Sequence, residues 1–393
     1  MLGVPSSSRG RALTAVIACI CIYGVTTGLS LPLLSLILEA RGYDRTLIGL
    51  NAAMTSLGTL LASPFIPGWV RRLGMRRFLL TCLFVDLFLF LSLGLFDTLP
   101  AWFAIRFLIG VTVAGLFVVS ETWMNELATD ATRGRLMGAY AALIALSFAL
   151  GPAIIPLTGI VGWVPFLVGA VFIAVAGIPL LMVRDPEPRM DGDSSFNALS
   201  FIWLAPTLAA AVLLASFKDT ATMSLLPIYG VRSGLSDGQG ALMLTVFGFG
   251  AAVLQIGIGW VADHFDRRRV MMACAAAGGI GAFSLPLVVD QGPWLWIMLL
   301  LWGALFAGVY TVSLTLVGER FRGAELATAN AAIGVCWGIG SLAGPATAGA
   351  AMDKWDPDGL PLVLSLAVAA FLILAAWRGR SGARASRIGT PGR

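Results

Sequence analysis

Hydrophobic positions in this 393-residue chain run in long unbroken stretches, separated only by short polar segments. The stretches cover roughly 12–39, 47–70, 78–96, 101–124, 136–157, 163–183, 201–229, 239–261, 270–289, 294–317, 326–350 and 360–377. About 20 residues of helix cross the hydrocarbon core of a bilayer, so each stretch predicts one membrane-spanning α-helix, twelve in all. The stretches do not alternate at a period of two, which argues for helices and against a membrane β-barrel.

Composition adds the class. With 58% hydrophobic and 12% charged residues and a mean hydropathy of +0.89, the chain has far more apolar surface than a soluble domain could bury. An all-α integral membrane protein is expected. Cys19, Cys21, Cys82, Cys274 and Cys336 all fall inside the apolar stretches as small apolar side chains, so no disulfide framework is implied. The single histidine leaves no metal-ligating cluster, and no metal or other cofactor is expected.

The polar breaks contain a repeat. Pro67-Gly68-Trp69-Val70-Arg71-Arg72-Leu73-Gly74-Met75-Arg76-Arg77 is wedged between two apolar stretches, and so is Gly259-Trp260-Val261-Ala262-Asp263-His264-Phe265-Asp266-Arg267-Arg268-Arg269. Arg76 and Arg268 are 192 residues apart, close to half the chain. Other features echo at matching places: Pro32 in helix 1 and Pro227 in helix 7, Gly151-Pro152 in helix 5 and Gly344-Pro345 in helix 11. The expected organisation is a six-helix bundle over 1–183, a cytoplasmic linker rich in Asp, Pro, Ser and Gly over 184–200, and a second six-helix bundle over 201–393 ending in a short basic tail. Internal duplication of this kind is the usual trace of a secondary transporter. Met1 to Gly10 reads as a short polar leader before a retained first helix, without a convincing signal-peptide cleavage site.

Charge sets the orientation. Both termini in the cytoplasm put both arginine-rich hairpins and the arginine-rich tail inside, leaving only Arg41, Arg45, Arg232 and Lys354 outside. The pI near 9.2 then follows from topology and needs no nucleic-acid partner. The expected location is the cytoplasmic (inner) membrane, multi-pass, with the lipid bilayer as surroundings and the chain acting as a monomer.

Two six-helix halves, the hairpin after helix 2 and its echo after helix 8, Arg106 to Gly110 in helix 4 and the Gly-Pro of helix 5 resemble the major facilitator superfamily. Val119-Ser120-Glu121, Arg133-Gly134-Arg135-Leu136, Leu226-Pro227-Ile228-Tyr229, Gly259 to Arg268 and Gly340 to Pro345 are most similar to its YcaD-like branch. The resemblance implies a cavity lined by helices 1, 4, 7 and 10 and transport of a small molecule by alternating access. The second hairpin keeps the superfamily's Gly259, Asp263, Arg267 and Arg268; the first has Pro67 in place of the glycine and Arg71 in place of the acid. Ile155 stands where the helix-5 pattern of the antiporters has a glycine, which weakens an inference of proton antiport from motif alone.

Ionisable residues inside the bilayer are costly, at least about 2.5–3.5 kcal/mol at a helix centre, and should face the bundle interior or a wet cavity. Lys218 and Asp219 lie near the middle of helix 7 and are the first candidates for substrate or coupling. Neighbours on a helix diverge by about 100°, so they are expected to reach different partners rather than each other. Arg106 is a candidate for tuning helix contacts or coupling, against a snorkelling cation; Asp86 is a candidate proton carrier, against a hydrogen-bonded acid inside the first bundle. Tyr23 and Tyr310 are candidate cavity residues by virtue of their helices. Glu121, near the cytoplasmic end of helix 4, is expected to pair with Arg76 or Arg77. For the altered hairpin a charge exchange is expected: Arg71 with Glu325 or Glu319, and Asp263, beside Arg267 and Arg268, with Arg133 or Arg135.

No nucleophile elbow, acidic metal motif or GxxxxGK[ST] loop occurs, so neither enzyme chemistry nor an ATP site of the chain's own is expected. A channel has no need of two repeated halves with charged hairpins. The expected function is secondary transport of a small organic solute, with efflux slightly favoured over uptake and proton coupling left open. A facilitated-diffusion carrier and a non-transporting scaffold on the same fold are the alternatives.

Overall fold

The computed structural model describes residues 6–127, 133–182, 205–321 and 324–388. These form twelve long helical rods: α1 (Ser6–Ala40), α2 (Arg45–Ala62, running on through a 3-10 turn at Ser63–Phe65 to Ile66–Leu73), α3 (Met75–Leu95), α4 (Leu99–Leu127), α5 (Arg133–Leu150, continued by Pro152–Ile154 and Ile155–Thr158), α6 (Val164–Met182), α7 (Pro206–Arg232), α8 (Asp237–His264), α9 (Arg267–Val288), α10 (Pro293–Arg320), α11 (Ala324–Lys354) and α12 (Gly359–Ile388). Within the described residues, every predicted apolar stretch falls on one of these rods. The expected linker, 184–200, lies entirely outside the described residues. Helix α12 runs on past the predicted boundary at 377, because hydropathy marks only its membrane part while the arginine-rich extension still has helical propensity.

Local chemistry sets the ends. Ser236 and Gln239 form a reciprocal capping box at the start of α8, and the Asp266 carboxylate accepts the Arg269 backbone N–H at 2.8 Å at the start of α9. Gly74 turns the first hairpin with a φ of 81°, a conformation glycine adopts without a Cβ clash.

Packing repeats with the sequence. In the first half α1 packs on α5 and α6, α2 on α4, and α3 on α4 and α6; in the second, α7 packs on α11 and α12, α8 on α10, and α9 on α10 and α12. Each contact recurs six helices later. Glycines make the closest of them possible: a Cβ on Gly110 of α4 would stand 2.1 Å from the Thr55 carbonyl oxygen of α2, and one on Gly303 of α10 would stand 1.8 Å from that of Phe247 in α8. The halves meet through α2 on α11, α5 on α8 and α1 on α7, again a symmetric set.

Candidate functional site

Asp219 lies 13 residues from either end of α7, about 20 Å along the axis from each. Its side chain is 40% exposed, whereas the residue before it, Lys218, is buried. The Lys218 ammonium sits 5.1 Å from the ring centre of Phe306 in α10 and 5.4 Å from that of Phe247 in α8, a cation held over two aromatic faces. It also reaches Asp219 Oδ1 at 3.4 Å. The expectation that these neighbours would not meet is corrected here: a four-carbon stem lets the ammonium bend back across the helix surface to the adjacent carboxylate.

Tyr310 of α10 is within electrostatic reach of both Asp219 and Glu121 of α4, and packs edge-on against Trp337 of α11 with centroids 4.8 Å apart. Glu121 is exposed. Thus Tyr310 stands within electrostatic reach of carboxylates from two other helices, one in each half.

The first half holds a second constellation. Arg106 is 2% exposed, so it does not snorkel; its Nη2 donates to the Leu31 carbonyl at 3.4 Å, while Nε and Nη1 have no partner among the described residues. Asp86, equally buried, accepts from the Thr112 hydroxyl at 2.8 Å, and the Tyr23 hydroxyl lies beside it. Tyr23, Asp86 and Arg106 line one cavity of about 20 Å³, room for about one water molecule. Thr112 was missed in the sequence, where nothing distinguishes it from the hydroxyls that bond back to their own helix.

At the hairpin face, Arg76 at the start of α3 donates to the carbonyls of Leu180 and Leu181 at 2.8 and 3.0 Å, closing the end of α6. Its repeat mate Arg268 donates to the Ala375 carbonyl of α12 at 2.7 Å. Both contacts stay within their own half. Arg267 pairs with Asp263 at 3.0 Å and with Glu319, so Glu319 is bound to Arg267 rather than to Arg71. Arg71 and Arg77 are exposed, and no ion pair from Arg71 occurs among the described residues. The side chains of Arg133, Arg135 and Glu325 lie outside the described residues.

The opposite face carries an inter-half charge cluster that the sequence did not suggest. Asp353, at the end of α11, accepts the backbone N–H groups of Arg45 and Thr46 at 2.9 Å each and the Thr46 hydroxyl at 2.5 Å. Asp44 makes no side-chain cap for α2, so a carboxylate from the other half occupies that role. Arg45 also reaches Asp356 at 2.9 Å, Arg232 pairs with Asp356, and Glu39 stands 3.6 and 3.8 Å from the two arginines. Close backbone approach reinforces the join: a Cβ on Gly49 of α2 would stand 2.0 Å from the Pro345 carbonyl of α11, and one on Gly349 2.1 Å from that of Arg45. Elsewhere on α2, Asn51 is fully buried, with neither side-chain amide atom partnered among the described residues.

A family model described as Major Facilitator Superfamily matches residues 16–238 and 208–390. Among curated relatives, the MFS-type transporter YfkF of Bacillus subtilis (strain 168) is 26% identical over 366 residues, covering 88% of this chain and 90% of that protein. The MFS-type transporter YcaD of Escherichia fergusonii is 25% identical over 335 residues, with 83% and 85% covered. Among solved structures, the nucleoside transporter NupG superposes with a TM-score of 0.74 at 13% identity, covering 94% of this chain and 97% of that one. A bacterial homolog of the human lysosomal transporter Spinster, inward-facing and unoccupied, gives 0.73 at 15% identity, covering 95% and 96%. At such identities the structures speak for the fold alone.

Proposed function

The chain belongs to the Major Facilitator Superfamily, and on that premise we propose that it carries a small organic solute across the cytoplasmic membrane by alternating access, with 1–183 and 201–393 as the two moving halves. One observation carries the reading: an ionisable side chain, Asp219, stands accessible at the middle of a membrane-spanning helix, in a chain whose halves are fastened together at one face. A charge kept at that depth belongs in a wet pathway. With the arginine-rich hairpins at the cytoplasmic side, the fastened face is the outer one, and the conformation is closed outward.

In its finer form the proposal has efflux driven by protons, with Asp86 and Asp219 as the carboxylates available to exchange them. The test is reconstitution. Ligands found by thermal shift, where 100 times the dissociation constant stabilises by about 2.7 kcal/mol, are tested for counterflow in proteoliposomes with and without a pH gradient. Ligand-dependent counterflow is expected, and a ligand that binds without being carried would overturn the transport reading. Indifference to the gradient would remove the proton coupling alone.

A further inference from the structure

We infer that the cargo is an organic cation, a protonated or quaternary amine on an aromatic body, and that Asp219 is the group that holds it; this rests on the transport reading above. Four ionisable side chains lie within the membrane near the facing helices: Asp86, Arg106, Lys218 and Asp219. Net charge does not choose among cargoes, since they comprise two acids and two bases. Accessibility does. Arg106 and Asp86 are each 2% exposed and Lys218 4%, whereas the Asp219 side chain is 40% exposed. Of the four, a cargo at mid-membrane meets the carboxylate and neither cation.

The packing explains why the pair does not cancel. Lys218 is drawn behind α7 onto the faces of Phe247 and Phe306, where the ring quadrupoles stabilise its charge. Its contact with Asp219 Oδ1, at 3.4 Å, is longer than the 2.7–2.9 Å of a strong charged hydrogen bond. The carboxylate is thus steadied from behind and open in front. An anionic cargo would have to shed water facing this carboxylate, with the ammonium screened behind it. A cationic cargo exchanges water for a carboxylate, and Tyr310, within electrostatic reach of Asp219 and edge-on to Trp337, supplies aromatic surface for its body.

Two probes of one shape and opposite charge test this: tetraphenylphosphonium and tetraphenylborate. Equilibrium binding to the purified full-length protein should be saturable for the phosphonium and absent for the borate. Asp219→Asn should weaken phosphonium binding at least tenfold, Asp219→Glu should restore most of it, and Lys218→Met should leave it unchanged or tighter, each variant first shown folded by its melting transition. Saturable borate binding, phosphonium binding that ignores Asp219→Asn, or no saturable phosphonium binding each overturns the inference. Transport separates the two readings. Borate bound and carried in counterflow would sink the cation site and leave the transporter, whereas phosphonium bound through Asp219 but never carried would do the reverse.

Discussion

The carboxylate of Asp353 holds the backbone amide of Thr46 at 2.9 Å, so the last turn of α11 caps the first turn of α2 across the boundary between the halves. A helix start carries about half a positive charge and unpaired N–H groups, which makes this contact favourable only while the face is closed. Replacing a capping side chain costs about 1 kcal/mol. Asp353→Ala should therefore shift the equilibrium about fivefold towards opening of this face. Spin labels at the exposed positions Asp44 and Asp237 would report it as a longer distance population, and an unchanged distribution would count against the cap.

Asn51 should limit overall stability. A buried amide without partners costs about 1–3 kcal/mol, and Asn51 bears that cost. Asn51→Leu, close in volume, should raise the melting temperature. A lower melting temperature would mean that the amide finds its partners in this state.

Acid should loosen the same face. Asp356 lies beyond the helices, and its hydrogen bond to Arg232, helped by the nearby Arg45 charge, holds its carboxyl below the ordinary 3.8. A depressed pKa stabilises the closed face fully above that ordinary value, and the contribution is lost as pH falls through the depressed one. The Asp44 to Asp237 distance should hold constant between pH 5 and 8 and lengthen below about pH 4. Asp356→Asn should show the longer distance at neutral pH and a flatter acid response.

Arg76 and Arg268 should behave as stabilising ties within their halves. Arg76 closes the Leu180 and Leu181 carbonyls at the end of α6, and Arg268 ties α9 to the Ala375 carbonyl inside α12. Hydrogen bonds from a charged donor contribute about 1.5–3 kcal/mol, so Arg76→Ala and Arg268→Ala should each lower the melting temperature by several degrees. Arg76→Lys should recover only part of the loss, because one ammonium cannot reproduce the fork that reaches two carbonyls. Full thermal stability with altered opening of the hairpin face would instead assign these arginines to a gate.

Much of this fold was legible because a bilayer demands long apolar helices, and because duplication shows in spacing: Arg76 and Arg268, 192 residues apart, do make equivalent contacts. Their partners were not legible, since a backbone carbonyl at the end of α6 leaves no mark on residue type. Asp219 and Lys218 stood out as intramembrane charges, but which of them faces water depends on where Phe247 and Phe306 pack. The cluster of Glu39, Arg45, Arg232, Asp353 and Asp356 was missed because each residue alone reads as a solvated helix end. Two of its members were nevertheless among the four basic residues assigned to the sparsely charged outer face, and that scarcity was the available signal.

The six-helix recurrence of contacts also bears on how the chain is made. Each half completes its internal packing from its own six helices, so the first can assemble before the second has left the ribosome. At about 5–20 residues per second, the second half takes about 10–40 s to follow. Throughout that interval α2 waits in the membrane with Gly49 uncovered and its first turn uncapped, both reserved for an α11 not yet synthesised. A chain stopped before α7 should resist protease as a folded six-helix unit, with the first cut falling at the uncapped start of α2.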